Sequence, residues 1–270
     1  MGGARRRGDY PGGVTIPVPS TDRLAAHAAT LRALHRPGRP LVLPNVWDAS
    51  SAGLVAGAGH PALATSSSAV AAALGWEDGE RTPPAEMFAA IGRIARVADV
   101  PLTADIEAGY GMEPADVVAH LLGAGASGCN LEDSIAGSRR LRPVEEQVER
   151  LRGVRAAADA AGVPIVLNAR VDVFLPGRGE GLDAVDEAIA RGRRYIAAGA
   201  DCVYPIMAPP DVLPRLVEGI AGPVNAIAKA DRAAIERVAA TGVARISLGG
   251  NLFDAARERM RELIDGLAPA

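Results

Sequence analysis

The chain has 270 residues, a formal net charge of -3 and 49% hydrophobic residues, enough apolar material for one large domain or two ordinary ones. The slightly negative charge excludes the basic surface that binds nucleic acid or an anionic membrane, and no apolar run is long enough to span a membrane. The two cysteines, Cys129 and Cys202, match no metal-binding spacing and indicate no disulfide framework, so we expect a reducing compartment, the cytoplasm.

The chain divides into a short leading segment and a long patterned region. Residues 1–20 are rich in Gly, Pro and Arg and lack the apolar core of a signal peptide, so we predict a disordered tail before a single domain over residues 21–270. Eight short apolar runs follow, most of them opening after Pro or Gly, as buried parallel strands do. They are Pro40–Trp47, Pro61–Ser67, Pro101–Glu107, Gly128–Asp133, Pro164–Asp172, Cys202–Met207, Pro223–Ala228 and Arg245–Gly250.

Ala-rich amphipathic segments lie between most of these runs and predict helices. Examples are Glu86–Ala98, Pro114–Gly123, Val144–Ala161, Asp183–Ala198 and Arg232–Thr241. Alternating strands and helices indicate a parallel sheet, and eight units fit the size of a closed (β/α)8 TIM barrel. An open doubly wound sheet is the alternative, although no Gly-x-Gly-x-x-Gly follows the first strand to indicate dinucleotide binding.

The third predicted strand ends in two carboxylates, Asp105 and Glu107, directly before a Gly-Tyr-Gly turn. Residues two apart on a strand point to the same side, so both side chains are expected in one mouth. Neighbouring carboxylates repel each other unless a cation lies between them, and Mg2+ takes oxygen ligands. This segment therefore predicts a metal site.

Other polar residues also collect at the ends of the predicted strands, where the catalytic residues of a barrel lie. They are Asn45, Trp47, Asp48, Ser66, Ser67, Ser68, Glu132, Asp133, Asn168, Arg170, Asp172 and Asn225. Buried charge is costly without a partner, which favours a shared site. Helix N-capping is the alternative role, above all for Asp48 and Asp133.

Five motifs, in their order and spacing, resemble the isocitrate lyase and phosphoenolpyruvate mutase superfamily over about residues 22–260. They are Ala52-Gly-Leu54 before Ala58-Gly59, Ala64-Thr-Ser-Ser-Ser68 with Leu74-Gly75 and Asp78, Asp105-Ile-Glu-Ala-Gly-Tyr-Gly111, Asn130-Leu-Glu-Asp133, and Asn168-Ala-Arg-Val-Asp172. The resemblance implies a barrel whose last helix is exchanged between subunits of a homodimer or homotetramer. It also implies Mg2+ or Mn2+ and a small carboxylic-acid substrate that passes through an enolate-like or metaphosphate-like species.

The resemblance also implies roles for individual residues. By position, the metal-binding carboxylates are Asp105, Glu107 and Glu132, some of them acting through water. The loop that binds the substrate carboxylate through backbone N–H groups consists of Ser66, Ser67 and Ser68. Asp78 lies at the catalytic face, where mutases use it in phosphoryl transfer, and Arg170 neutralises the substrate.

Three further sets of residues remain open at this point. Tyr110 is a candidate general base because it follows the metal carboxylates, with packing of the turn as the alternative. Trp47, Asp48 and Asn225 are further candidates for the substrate pocket. The residues after Glu132 include Arg139, Arg140 and Arg142, which are either anion contacts on a closing lid or a solvated basic loop.

That same loop departs from the family pattern. Isocitrate and methylisocitrate lyases carry a Lys-(Lys/Arg)-Cys-Gly-His loop after the fourth strand, and phosphonate mutases place Lys and Asn there. This chain has no Lys, Cys, His or Asn in residues 132–142. Glu107 also stands where many members have Asp, one methylene shorter.

Three functions are therefore compared. The first is an Mg2+-dependent lyase that cleaves a C–C bond next to a carboxylate in a small 2-oxo or hydroxy acid, for example like an oxaloacetate decarboxylase or a methylisocitrate lyase. The second is chemistry at a C–P bond, as a phosphonomutase or phosphonopyruvate hydrolase, and Asp78 motivates it. The third is a barrel that binds metal and carboxylate without catalysis.

Overall fold

A computed structural model describes residues 20–97, 99–178 and 181–267. The predicted tail lies outside the described residues except for Ser20, whose side chain accepts the Arg23 N–H and caps helix α1 (Thr21–Leu34).

Strands and helices alternate along the rest of the described chain, as the apolar pattern predicts. The strands are β1 (Leu41–Leu43), β2 (Asn45–Val46), β3 (Leu63–Thr65), β4 (Leu102–Asp105), β5 (Gly128–Glu132), β6 (Val166–Val171), β7 (Cys202–Pro205), β8 (Asn225–Ile227) and β9 (Arg245–Ser247). The helices after α1 are α2 (Ala49–Gly57), α3 (Ser67–Leu74), α4 (Pro84–Ala95), α5 (Pro114–Gly123), α6 (Val144–Ala160), α7 (Gly181–Ala197), α8 (Leu213–Ile220), α9 (Arg232–Ala239) and α10 (Asn251–Asp265).

The strands close into a barrel. Strands β2 to β7 form one parallel sheet in chain order, and β1, β9 and β8 form a second. The sheets join at Pro44, which separates β1 from β2, and at a parallel bridge between Val203 and Val224. This arrangement confirms the (β/α)8 barrel and excludes the open doubly wound sheet.

The first barrel strand differs from the continuous run Pro40–Trp47 that the sequence predicts. Pro44 has no N–H to donate to a ladder, so the strand changes neighbours there. Leu41–Leu43 pairs with β9, whereas Asn45 and Val46 pair with β3. The interruption therefore lies at the seam where the two sheets meet.

Helix α1 covers the amino-terminal end of the barrel. Leu31 is fully buried against Gly128, where an added Cβ would lie 2.9 Å from the Leu31 Cδ2 atom and from the Val166 carbonyl oxygen. Arg32 donates to the Pro164 carbonyl and forms an ion pair with Asp201. This end is closed by packing, so the carboxyl ends of the strands form the open mouth.

The last helix contributes no buried residue to the core. In α10, all of whose residues are described, none is buried. Its side chains Met260, Leu263 and Ile264 are each more than half exposed. In the described residues, no helix has the length and apolar character to cross a membrane.

Candidate active site

Asp105 joins two neighbouring strand ends at the mouth. Its Oδ2 atom accepts hydrogen bonds from Ser67 Oγ at 3.0 Å and from Ser67 N at 3.3 Å. Its own N–H donates to Thr65 Oγ1 at 2.8 Å. The other carboxylate oxygen, Oδ1, is buried and has no hydrogen-bond partner among the described residues. Such an atom is expected to have a partner, which makes Oδ1 a candidate metal ligand.

The three predicted carboxylate-binding serines lie at the start of α3, next to Asp105. Ser66 is the N-cap residue, Ser67 is the first residue of the helix, and the Ser66 and Ser68 hydroxyls lie 3.1 Å apart. Helix N-termini carry partial positive charge and unpaired N–H groups, so this position suits an anionic ligand.

Glu107 is held from three sides. Its carboxylate accepts the backbone N–H groups of Gly79 at 2.8 Å and Glu80 at 2.6 Å, and the Tyr110 hydroxyl at 3.0 Å. Burial raises the pKa of Glu107 to about 7, and the negative charge of Asp78 adds to the rise. Glu107 is therefore able to gain or lose a proton near neutral pH.

Tyr110 lies in the site as a donor. Its hydroxyl donates to Glu107, and its ring packs edge-on against Phe88 with 6.3 Å between the centroids. Burial raises the pKa of Tyr110 far above its usual value, and the negative charge of Glu107 adds to this. The phenol therefore keeps its proton, which supports donation rather than the general-base role considered for it.

Asp78 lies on the loop beside Glu107. Partial removal of water raises the pKa of Asp78, and the charge of Asp105 raises it further, whereas Arg170 opposes the change. These carboxylates are thus close enough to influence each other, as the sequence predicts for this face.

Glu132 and Arg170 belong to a buried chain of alternating charges. Arg170 forms ion pairs with Glu132 and with Asp172, the latter at 2.6 Å between Nε and Oδ1, and Arg178 pairs with Asp172 at 3.2 Å. Burial raises the pKa of Glu132 well above its usual value, although Arg170 opposes this. Burial also lowers the pKa of Arg170, but Glu132 and Asp172 raise it by more, so the guanidinium stays charged.

The loop after β5 is a short hairpin that lies next to the buried ion pairs of Glu132, Arg170 and Asp172. An antiparallel bridge joins Ser134 to Leu141, and Arg178 binds the Ser134 hydroxyl and approaches the Ser138 carbonyl at 3.5 Å. Arg142 points to Glu146 at 3.5 Å. The exposed arginines of the hairpin itself are Arg139 and Arg140. Arg142 is thus engaged with the following helix, whereas Arg139 and Arg140 are the two candidate anion contacts that are exposed.

Two pocket candidates have structural partners instead. Asp48 caps α2, with Ser51 N donating to its Oδ1 at 2.7 Å and the Ser51 hydroxyl completing the capping box. Asp48 therefore has the role of helix N-cap, which the sequence offered as the alternative to a place in the substrate pocket. Trp47 is half-buried, and its ring packs against Phe253 of α10 with 5.1 Å between the centroids.

Asn225 lies inside the barrel rather than at its rim. It is fully buried, and its side-chain amide donates to the Ser247 hydroxyl at 3.2 Å. The same hydroxyl accepts from Arg245, a fully buried arginine that also reaches Asn130 at 3.3 Å. Asn225 thus belongs to a polar layer in the barrel interior.

The carboxylates offer one open ligand position rather than a completed coordination set. In the described part of the chain, no group of three or more His, Cys, Asp or Glu side chains is arranged to hold a metal ion. Glu132 is engaged by Arg170, and Glu107 by two N–H groups and a hydroxyl. The buried, unpartnered Oδ1 atom of Asp105 is an oxygen donor of the kind that a hard divalent cation takes.

Glu80 and Arg178 are parts of the site that sequence reasoning missed. Glu80 accepts the Tyr110 N–H, and Arg178 ties the hairpin to Asp172. A weak signal existed for Glu80, since Asp78-Gly79 marks a turn. For Arg178 we find no local signal, because its partners lie on another loop.

The sequence is similar to those of known proteins. The profile of the phosphoenolpyruvate phosphomutase family matches residues 31–268. An uncharacterized protein of Mycobacterium tuberculosis strain H37Rv is 32% identical over 225 residues, which cover 82% of each chain. The 2-methylisocitrate lyase of Escherichia coli K12 is 32% identical over 192 residues, covering 64% of this chain and 63% of the lyase.

Solved structures resemble the chain over most of its length. A candidate phosphonomutase from Burkholderia cenocepacia J2315 superimposes with a TM-score of 0.85 at 42% identity, covering 90% of this chain and 99% of the other. An oxaloacetate acetylhydrolase in complex with oxalate has a TM-score of 0.78 at 24% identity, covering 90% of this chain and 87% of the other, and this similarity concerns the fold alone.

Proposed function

The chain belongs to the phosphoenolpyruvate mutase/isocitrate lyase superfamily, and from that membership we propose that it is an Mg2+-dependent lyase. Superfamily members are enzymes, and relatives such as the methylisocitrate lyases support lyase-type chemistry. The proposed reaction cleaves a C–C bond next to a carboxylate in a small 2-oxo or 2-hydroxy acid and leaves an enolate that is then protonated. Mn2+ is the alternative metal.

The observation that carries this proposal is the free, buried Oδ1 atom of Asp105 beside the start of α3. Asp105 would hold the metal directly, and Glu107 and Glu132 would hold its waters. When bound, a divalent ion supplies a Lewis acid that polarises a carbonyl oxygen and stabilises an enolate.

The remaining roles fall to residues around the metal position. The N-terminus of α3 at Ser66 to Ser68 would bind the substrate carboxylate, and Arg170 would offset its charge. Tyr110 donates a hydrogen bond to Glu107 at the mouth of the barrel, so this pair would supply the proton that quenches the enolate carbon.

A scan of small 2-oxo and 2-hydroxy diacids with Mg2+, with detection of the keto-acid product, tests the proposal. Asp105→Ala should lower kcat/KM by at least roughly a hundredfold, because the metal loses its direct ligand. Asp99→Ala is the control, since the Asp99 side chain is 82% exposed and pairs with Arg23. Turnover that needs no metal, or that survives in Asp105→Ala, would contradict the proposal.

Chemistry at a C–P bond is the second candidate. The position of Asp78 among the carboxylates and the similarity to a candidate phosphonomutase favour it. Phosphorus NMR with phosphonopyruvate distinguishes it from C–C cleavage, because a new phosphorus resonance appears only if the C–P bond reacts.

A non-catalytic barrel is the third candidate. Calorimetric titration with Mg2+ separates this function from the other two if it is combined with the substrate scan. Tight binding of metal and small acids without turnover would favour it.

We further propose that the protein is a homodimer or homotetramer that exchanges α10 between subunits. The apolar side of α10 is exposed, and a cavity of about 500 Å3 lies on the outer face of the barrel, lined by Val42, Ile235 and Leu252 among others. A helix from a second copy would cover apolar surface in both places.

A further inference from the structure

The interior of the barrel is divided into an apolar end and a polar layer. The apolar cluster at the amino-terminal end consists of Leu31, Leu41, Leu43, Ala62, Ala64 and Val166. Next to it lies a layer of buried polar side chains, most of them linked by hydrogen bonds. The layer includes Thr103, Asn130, Asn168, Asn225, Arg245 and Ser247. Bulky branched apolar side chains dominate the interior of most such barrels, so this layer requires a physical explanation.

Arg245 is a buried charge without an acidic partner. It is fully buried, and among the described residues it forms no ion pair at 4.0 Å or less. Its Nε atom donates to the Ser247 hydroxyl at 3.2 Å, and its Nη2 atom donates to Asn130 Oδ1 at 3.3 Å. Both acceptors are uncharged, and a buried charge is costly unless hydrogen bonds satisfy it fully.

The guanidinium of Arg245 also has one nitrogen to spare. Its Nη1 atom is buried and has no hydrogen-bond partner in the described part of the chain. Arg155 differs, because its Nε donates to the Gly199 carbonyl, its Nη1 to the Ile165 carbonyl and its Nη2 to Asp201. Nearly all buried polar groups have a partner, so an acceptor is expected beside Arg245 Nη1.

An unpaired acceptor lies close to this unpaired donor. Asn168 Oδ1 is buried without a hydrogen-bond partner among the described residues. The Nδ2 atom of Asn168 donates at 2.8 Å to Asn130 Oδ1, the same atom that accepts from Arg245. This shared acceptor fixes the orientation of the Asn168 amide, because only its nitrogen can donate there. The Asn168 oxygen must therefore find its partner elsewhere in the layer.

Thr103 adds a third unpaired group to the layer. Its hydroxyl is buried and has no partner within the described chain. Thr103 lies two residues before Asp105 on β4, so strand alternation directs both side chains to the inner side of the barrel. Three strands thus each contribute one unpaired polar atom to the interior.

Water fits these three groups better than an anion does. A water molecule can accept from Arg245 Nη1 and donate to Asn168 Oδ1, whereas a halide can only accept and would be repelled by that oxygen. Buried waters typically form about three hydrogen bonds to polar groups that have no other partner.

We propose that the polar layer of the barrel is a binding site for ordered water, held by Arg245 Nη1, Asn168 Oδ1 and Thr103 Oγ1. This water completes the hydrogen bonds of the guanidinium and lets the fold keep a charged arginine without an acid beside it. The inference goes beyond the proposed function and does not depend on it, because none of the three groups is assigned a role in the reaction.

Oxygen-17 magnetic relaxation dispersion tests the site, since it counts waters that exchange slowly with the solvent. Arg245→Met removes the donor and should lower the count for the full chain by at least one. Arg155→Met is the matched control and should not lower the count, because protein groups already bind the nitrogens of Arg155. Equal counts in wild type and Arg245→Met would overturn the proposal.

Thr103→Val keeps the test decisive if Arg245→Met does not fold. If water binds the Thr103 hydroxyl, its loss should lower the urea midpoint, whereas removal of a dry, unpaired hydroxyl should raise it. Thr82→Val is the matched control, since Thr82 carries a buried unpaired hydroxyl on the segment before α4 and its loss should not lower the midpoint. A higher midpoint in Thr103→Val would contradict the proposed site.

A crystal structure of the full chain grown in sodium bromide distinguishes water from an anion. The expected result is density beside Arg245 Nη1 and Asn168 Oδ1 without an anomalous bromine signal. A bromine signal there would identify a halide site instead, and a lack of density would show that the layer is dry. Either of these two results would overturn the proposal and leave the proposed lyase reaction untouched.

Discussion

Glu80 and Glu107 hold each other's loops in place. The Glu107 carboxylate accepts the Glu80 N–H at 2.6 Å, and the Glu80 carboxylate accepts the N–H of Tyr110, three residues after Glu107. Glu80, Glu107 and Tyr110 have φ values of 60°, 52° and 55°, all in the left-handed region. Non-glycine residues in this conformation persist only where the surroundings enforce it. The two reciprocal hydrogen bonds hold these residues in the left-handed conformation. They also place the Glu107 carboxylate at the mouth of the barrel.

Glu80→Ala should therefore destabilise the protein by about 2 kcal/mol, since a charged acceptor is lost and the Tyr110 N–H is left without it. Glu80→Gln keeps an acceptor oxygen and should therefore lower the free energy of unfolding by less. Urea unfolding of the metal-free protein measures both changes. Glu77→Ala, at an exposed position nearby, is the control. Equal stability of Glu80→Ala and wild type would show that the bond does not hold the loop.

Arg178→Gln should open the hairpin between Ser134 and Leu141. Arg178 is the residue that binds both Asp172 and the Ser134 hydroxyl, and a charged hydrogen bond contributes about 2 kcal/mol. Trypsin cuts after arginine, so cleavage at the exposed Arg139 and Arg140 should become about thirtyfold faster, read from fragment masses over time.

The matched control for the hairpin is Arg215→Gln, which breaks an exposed pair with Asp186 at 2.5 Å between α8 and α7. It should leave the cleavage rate after Arg139 unchanged. An unchanged rate in Arg178→Gln as well would mean that other contacts hold the hairpin.

His35 should make stability depend on pH. Burial lowers the pKa of His35 from 6.5 to about 4, and the nearby Arg245 adds to this, while the Leu31 carbonyl and Asp201 oppose it and Arg32 contributes slightly. The folded protein thus resists protonation that the unfolded chain accepts, so stability is lost as pH falls from 6.5 towards 4.

The measurement is the difference in free energy of unfolding between wild type and His35→Gln. This difference should fall by on the order of 3 kcal/mol between pH 7 and pH 4, and effects of the carboxylates cancel because both proteins share them. A difference that stays constant with pH would mean that the imidazole is hydrated in the folded protein.

Exchange of α10 predicts a specific change in assembly. Leu263→Asp with Ile264→Asp places charge on the exposed apolar side of the helix and should shift a dimer or tetramer to monomers in sedimentation experiments. Arg259→Ala with Glu262→Ala removes an exposed pair of the same helix and should leave the assembly intact. A wild-type protein that sediments as a monomer would exclude the exchange.

Much of the barrel follows from local pattern. Apolar runs that open after Pro or Gly predict the buried strands, and α5 begins and ends at the predicted residues, Pro114 and Gly123. Placement of Asp105, Glu107 and Glu132 at one end also follows, because parallel strands bring their carboxyl ends together. The break at Pro44 was missed, although the absent N–H of proline is itself a local signal.

The partners of the site residues were decided by tertiary structure alone. Glu107 accepts hydrogen bonds from N–H groups 27 and 28 residues earlier in the chain, and Arg170 forms an ion pair with Glu132 on the neighbouring strand. The sequence determines which side chains reach the mouth, since this depends on strand period and direction. Which carboxylate remains free for a metal, and which is neutralised by an arginine, depends on loop conformations set by hydrogen bonds between distant segments, and no local periodicity encodes those bonds.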